Sequence, residues 1–251
     1  MTARSPNRLP PWRIGCAGWS IPRDSAAHFP DLGSQLHRYA QVFNAVEINS
    51  SFYRNHKPST YRRWAADVPD AFCFSVKVPR TITHQARLAD CRELLADFLA
   101  GVEELGPKLG CLLLQLPPSL AWDAGVALPF LALLQRLHEG PVACEPRHVS
   151  WFSAEVGREL AAHGIARVAA DPGLSLRARV PGGDRHLQYL RLHGSPRMYY
   201  DSYADEVIDR VATRLQQPGH GTTQRWCIFD NTARGHATRN ALDLLVRLRG
   251  P

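Results

Sequence analysis

Four polar side chains stand out by type and position: Glu145, Asp171, His193 and Asp230. Each closes a short apolar run of strand length. Two or three carboxylates with one imidazole make a donor set suited to Mn²⁺, Mg²⁺ or Zn²⁺. The same groups without a metal are the parts of acid/base chemistry, a carboxylate as base and an imidazole as acid or base. A basic group accompanies them: Lys77, Arg80, His84, Arg147 and Arg191. The planar fork of Arg matches phosphate or carboxylate, so this group predicts an anionic ligand. Lys77 and Arg191 also offer counter-charges that satisfy the acids with no metal at all. That balance tilts the reading away from a metal, and mutual neutralisation of the two groups is the plainer alternative to either function.

The residues expected to carry catalysis are Glu145, His193, Glu47 and Lys77. Those expected to bind substrate are Asn49, Tyr53, Arg80, His84, Gln115, Arg147, Trp151, Asp171, Arg191, Tyr199, Asp230 and Asn231. Trp19, Phe52, Tyr53, Trp151, Tyr199, Tyr200 and Tyr203 all fall just after apolar runs, where a ring can stack on a sugar or a base. Taken singly, each such ring more often packs a loop. His236 and Asn240 stand at i and i+4, with Asn240 expected to bind the preceding loop. There is no G-x-S-x-G elbow for a serine nucleophile. The glycines of Gly15–Gly18 lack the helix start of a dinucleotide fingerprint. No P-loop is present, so no nucleotide cofactor is expected.

Eight apolar runs must position these residues. They are Trp12–Gly18, Ala45–Asn49, Phe72–Lys77, Gly110–Gln115, Pro141–Glu145, Ile165–Asp171, Leu187–His193 and Gln224–Asp230. Most gaps hold a helix: about 32–43, 59–66, 89–105, 128–138, 153–163, 205–215 and 236–248. Ser153 reads as an N-cap. Pro172–Arg185, rich in Gly and Pro, reads as a long loop, and Pro218–Gly221 as a break. Strands alternating with helices predict an α/β fold, a (β/α)8 TIM-like barrel, whose chemistry sits at the C-terminal strand ends. Side chains two apart share a strand face, which pairs Glu47 with Asn49, Glu145 with Arg147 and Arg191 with His193.

The chain has 251 residues, 45% of them hydrophobic and 21% charged. One barrel domain over 12–251, after a disordered lead at 1–11, fits that length. No apolar run reaches the roughly 20 residues that span a bilayer. The first residues have no apolar core of a secretory signal. Net charge is +7 and the pI about 9.3. Lysine occurs only at 57, 77 and 108, and the arginines are scattered. Nucleic acid is therefore a weaker expectation than a small anionic ligand, and nothing fixes an oligomeric state. The six cysteines form no C-x-x-C pair, and five lie in the strand runs, which predicts free thiols in a cytoplasmic setting.

Longer motifs carry a resemblance. Gly15-Cys16-Ala17-Gly18-Trp19 and Val46-Glu47-Ile48-Asn49-Ser50-Ser51-Phe52-Tyr53 resemble the opening of the YecE-like proteins, domain of unknown function 72. Lys77-Val78-Pro79-Arg80, Gln115-Leu116-Pro117-Pro118, Glu145-Pro146-Arg147-His148, Arg191-Leu192-His193-Gly194 and Phe229-Asp230-Asn231-Thr232 continue it in order. The resemblance spans about Trp12 to Leu248. It implies a TIM-like barrel with motif residues at strand ends, and no established reaction. The four acidic and imidazole positions are also similar in arrangement to the metal site of xylose-isomerase-like epimerases and apurinic-site endonucleases. That likeness implies, as an alternative, a metal-dependent sugar isomerase or phosphodiesterase. Asp230 departs from the Asn that many YecE-like relatives carry.

Overall fold

The computed structural model describes residues 12–217 and 223–250. The expected lead at 1–11 and the break at Pro218–Gly221 lie outside the described residues. The fold is mixed α/β with parallel sheets. One sheet joins β1 (Trp12–Cys16), β10 (Gln224–Phe229), β9 (Leu187–Leu192) and β7 (Ala169–Asp171) in that order. The other joins β2 (Ala45–Ile48), β3 (Cys73–Lys77), β4 (Leu109–Gln115), β5 (Val142–Glu145), β6 (Ile165–Arg167) and β8 (Gly182–Gly183). Every pairing is parallel except β8 on β6.

The expected single closed ladder is thus two sheets, and each break has a local cause. Between β1 and β2, side chains take over much of the ladder. The Ile14 amide donates to Asn44 Oδ1 and the Cys16 amide to Tyr39 Oη. Backbone contact resumes only at the top, where Gly18 N donates to Glu47 O at 2.9 Å and Ala17 bridges Glu47. Gly15 allows this approach, since a Cβ there would stand 2.0 Å from Ala45 O. The other break is at Val168. The expected sixth strand changes partner there, its first half pairing with β5 and its second with β9.

The sheets enclose one core between them. Ala45, Cys111, Leu113, Ala143 and Ala166 from one sheet pack with Leu187, Tyr189, Trp226 and Ile228 from the other. The opposite strand faces, with Ile14, Val46, Phe74, Leu112 and Leu190, pack under the helices. Among the described residues the α-helices are α1 (Gln35–Ala40), α2 (Pro58–Ala66), α3 (Arg92–Val102), α4 (Ala124–Leu137), α5 (Ala154–Ala162), α6 (Asp205–Gln216) and α7 (His236–Arg249). Ser153 caps α5 as expected, its Oγ accepting from Val156 N at 3.1 Å. No α-helix lies between β7 and β9. That stretch holds a 3-10 turn at Leu176–Arg179 and the short β8, as its Gly and Pro content predicts. Among the described residues no helix is long and apolar enough to cross a membrane. All six cysteines are free.

Candidate active site

Alternation along the strands sorts the site. Below, the enclosed face is apolar. Toward the C-terminal ends the same face turns polar: Glu47 on β2, Ser75 and Lys77 on β3, Glu145 ending β5, Arg191 on β9, with His193 and Asp230 just beyond β9 and β10. Arg191, 1% exposed, is the hub. Its Nε and Nη2 donate to the two oxygens of Glu47 at 2.9 and 2.6 Å. Its Nη1 donates to Glu145 Oε2 at 3.1 Å, and Nη2 also lies 3.0 Å from Asp230 Oδ2. Tyr189 adds a hydroxyl donor to Glu47 at 3.0 Å and sits 2.9 Å from Ser75 Oγ. A buried cation surrounded by hydrogen-bonded carboxylates is the form in which such charges tolerate burial.

His193 is fully enclosed and lies between two acids. Its Nδ1 is 3.0 Å from Asp230 Oδ2 and its Nε2 is 2.9 Å from Glu145 Oε1. Arg147 Nη2 stands 2.9 Å from the same Nε2 and 2.6 Å from Glu145 Oε1. A neutral imidazole donates from one nitrogen only. With the proton on Nδ1 the ring donates to Asp230 and accepts from Arg147; with it on Nε2 the ring donates to Glu145. Burial pushes the Glu145 carboxyl up, but His193, Arg191 and Arg147 outweigh it and hold the group well below the usual carboxylate range. Asp230 is shifted down by the same contest between burial and its cationic neighbours, Arg191 first.

Lys77 differs from the rest. It is 6% exposed, and among the described residues no hydrogen bond or ion pair reaches its Nζ. The ammonium lies over the Phe52 ring, 4.2 Å from its centroid. Burial and the nearby Arg191 lower its pKa to about 8, against the upward pull of Glu47, Asp230 and Glu145. Asp230 keeps a free edge too: both contacts to it use Oδ2. Arg147 Nε is buried without a partner. A cavity of about 250 Å³ opens beside Arg147, lined also by Glu145, Phe152, Val168, Ala170 and Met198.

Asp171 does not join the group. It lies on the outer face of β7, the face of Ala169 and of its register partner Leu192, and lines a separate groove with Leu190, Val207 and Val211. What Asp171 contributes is its carbonyl, which accepts from His193 N and from Tyr203 Oη at 2.7 and 2.9 Å. The metal set of Glu145, Asp171, His193 and Asp230 is therefore not assembled. Among the described residues no three His, Cys, Asp or Glu are arranged to hold an ion. The space between the acids is filled by the Arg191 guanidinium instead.

The other expected binding residues divide. Tyr199 rests its ring on His193 with centroids 5.7 Å apart, held at a φ of +69° that a tyrosine seldom adopts. His84 packs on Phe52 and bonds Thr83, and burial, then Lys77 and Arg80, lowers its pKa. Gln115 lies beside Glu145 in the β4–β5 register, and Asn49 keeps a buried, unpartnered Oδ1. Arg80 and Tyr53 are exposed. Trp151 is buried, donates to Leu120 O and packs on Trp122, so its ring is not open to a ligand. Asn231 is fully buried and donates to Asp201 O and Asn240 Oδ1, tying down the loop after β9. Asn240 Oδ1 accepts from Asn231 in the loop preceding α7, as expected, and also from Tyr203 N. Ser75 and Tyr189 were not among the expected site residues. Each stands two positions before one that was, Lys77 and Arg191, so strand alternation could have found them. Burial pushes the Cys16 thiol up to about 12 and raises Cys144 as well, which leaves neither poised as a nucleophile.

The family model for DUF72, a protein of unknown function, matches residues 13–250. The chain belongs to the DUF72 family. It is 35% identical over 165 residues to the UPF0759 protein YecE of Escherichia coli K12, a match covering 63% of this chain and 58% of that one. The match thus spans just over half the length of that relative. It is 30% identical to the UPF0759 protein YunF of Bacillus subtilis, with 94% of each covered. Among solved structures, a DUF72 protein of Thermotoga maritima superposes with a TM-score of 0.78 at 24% identity, covering 95% of this chain and 99% of that one. A DUF72 protein of Enterococcus faecalis gives 0.77 at 20%, with 96% of each covered. These two likenesses speak to fold alone.

Proposed function

We propose that this DUF72 protein is an enzyme that processes an anionic small molecule by acid/base chemistry at the C-terminal strand ends. The two sheets act as one (β/α)8-type ring in this reading. Supporting it are the core they share, the Ala17–Glu47 bridge and the handover at Val168.

One observation carries the functional reading. Within the cluster Arg191 spends its donors on carboxylates, whereas the buried Lys77 ammonium has none. Lys77 and the free Nε edge of Arg147 hold the anionic group of the substrate. Asp230 Oδ1 and His193 move the proton, and the Glu145–Arg147 pair sets which imidazole nitrogen carries it. Both oxygens of Glu47 are taken up by Arg191 and Tyr189, so it positions Arg191. The phosphorylated or sugar-containing class of substrate follows from the cation and the neighbouring rings of Phe52 and Tyr199.

The test is a turnover screen of sugar phosphates and hydroxy acids, repeated with Lys77→Met and Asp230→Asn. Any substrate of the wild type should lose about 10²-fold or more in kcat/KM in both variants, in line with loss of a general acid or base. Variants that fold and turn over at the wild-type rate would overturn the assignment.

A further inference from the structure

Between α5 and the segment that joins β7 to β9 without an α-helix lies a groove of about 740 Å³. Phe152 divides it from the cavity beside Glu145, since that ring lines both. Four arginines line the groove: Arg158, Arg167, Arg177 and Arg185. Three are exposed and by themselves mean little. Arg167 is different. It points out of β6, is 93% buried by its 7% exposure, and lies over the Phe152 ring at 5.2 Å.

Buried guanidinium groups are ordinarily matched by a carboxylate. Arg167 has one hydrogen bond, from Nη2 to Arg177 O at 3.1 Å, and its Nε is buried without a partner. No carboxylate reaches it among the described residues. The segments outside them, 1–11, 218–222 and 251, contain no Asp or Glu side chain. Asp184, the acid on the groove wall, is bonded to His186. Burial and the neighbouring Arg177 both press on the Arg167 charge.

The surroundings fit an anion. Gly182 faces the guanidinium so closely that a Cβ would stand 2.6 Å from Nη2, which keeps that wall open as bare backbone. The first turn of α5, with Ser153, Ala154 and Gly157, forms another wall, presenting the positive end of a helix. Arg158, Arg177 and Arg185 add charge at the rim.

We infer that this groove is a second anion site, distinct from the Lys77 cluster, which binds the phosphate group of a small phosphorylated molecule on Arg167. The ligand supplies the counter-charge that the described residues do not. The site stands independently of the reaction proposed above.

Calorimetric titration of the full-length protein with pyrophosphate tests it. Wild type and Lys77→Met should bind at this site alike, while Arg167→Met should lose about tenfold or more in affinity, as removal of a charge-assisted contact does. Gly182→Ala, which crowds the guanidinium without removing it, should weaken binding in the same direction. Arg158→Ala, at the exposed rim, should weaken it less and should not alter folding. Equal binding by Arg167→Met and wild type, with both folded, overturns the site. If Arg167→Met does not fold, unaltered binding by both Gly182→Ala and Arg158→Ala overturns it. Loss of all binding in Lys77→Met would place the anion in the central cluster and overturn it too. Duplex DNA displacing pyrophosphate at micromolar concentrations would replace the small ligand with a nucleic-acid surface.

Discussion

The Lys77 ammonium lies 4.2 Å from the centre of the Phe52 ring. A cation over an aromatic face gains about 0.5–2 kcal/mol, less than a buried charge loses on leaving water. Lys77 is therefore held at a cost to the fold. Its pKa of about 8, below the ordinary 10.5, expresses that cost.

The sign of the pH effect follows. Between those two values the unfolded chain binds the Lys77 proton and the folded one does not, so stability from this residue rises with pH across the window. Below about 8 the full penalty is present, on the order of 3 kcal/mol. Lys77→Met should be more stable than wild type at neutral pH, and the difference should shrink as pH rises from 8 to 10.5. Urea melts across that range measure it.

Arg191 should behave in the opposite way. Replacing it by Met leaves Glu47, Glu145 and Asp230 buried without their shared cation. Removing one partner of a buried network costs about 3–5 kcal/mol. Denaturant melts should show that loss, and combining Arg191→Met with Glu47→Gln should cost less than the sum of the two single changes.

Glu145 governs the acid side. Its folded pKa is depressed by His193, Arg191 and Arg147, so its contribution is present above the ordinary value of 4.5 and is lost as pH falls below it toward the folded pKa. Wild type should lose melting temperature steeply in that acid range. Glu145→Gln should start lower and show a flatter acid limb.

Gly15 tests the seam. A methyl group there meets Ala45 O at 2.0 Å, so Gly15→Ala must separate β1 from β2 and disturb the Ala17–Glu47 bridge. The overpacking penalty is typically about 1–3 kcal/mol, and backbone has less room to give than a side chain. A melting temperature unchanged from wild type would show that the seam is looser than described.

Much of this was legible in the residues. The alternation that puts Glu47, Lys77, Glu145, Arg191 and Asp230 on one face is a period-2 property of each strand, and every one of those positions reached the cluster. Asp171 stays out of it, although it ends its run, because β7 begins after the break at Val168 and leaves Asp171 on the outer face with Ala169 and Leu192. Neither that break nor the side-chain seam at β1 leaves a periodic trace. Trp151 shows another limit: following a strand places a ring near the site, but only packing against Trp122 decides which way it turns. The absent helix after β7 was legible in Gly173, Pro181, Gly182 and Gly183. The groove between that segment and α5 was not, because Arg167 sits inside an otherwise apolar run.

Competitive acylation of the lysines, with peptide mapping across pH, shows whether Lys77 is the unpaired cation of the site. It reads the titration of Lys77 beside Lys57 and Lys108 in the same sample. Lys77 should titrate near 8, and inorganic phosphate, added to the Arg167→Met protein so that only the central site responds, should slow its acylation and raise its apparent pKa. A Lys77 that titrates at the ordinary 10.5 and ignores phosphate would contradict that assignment.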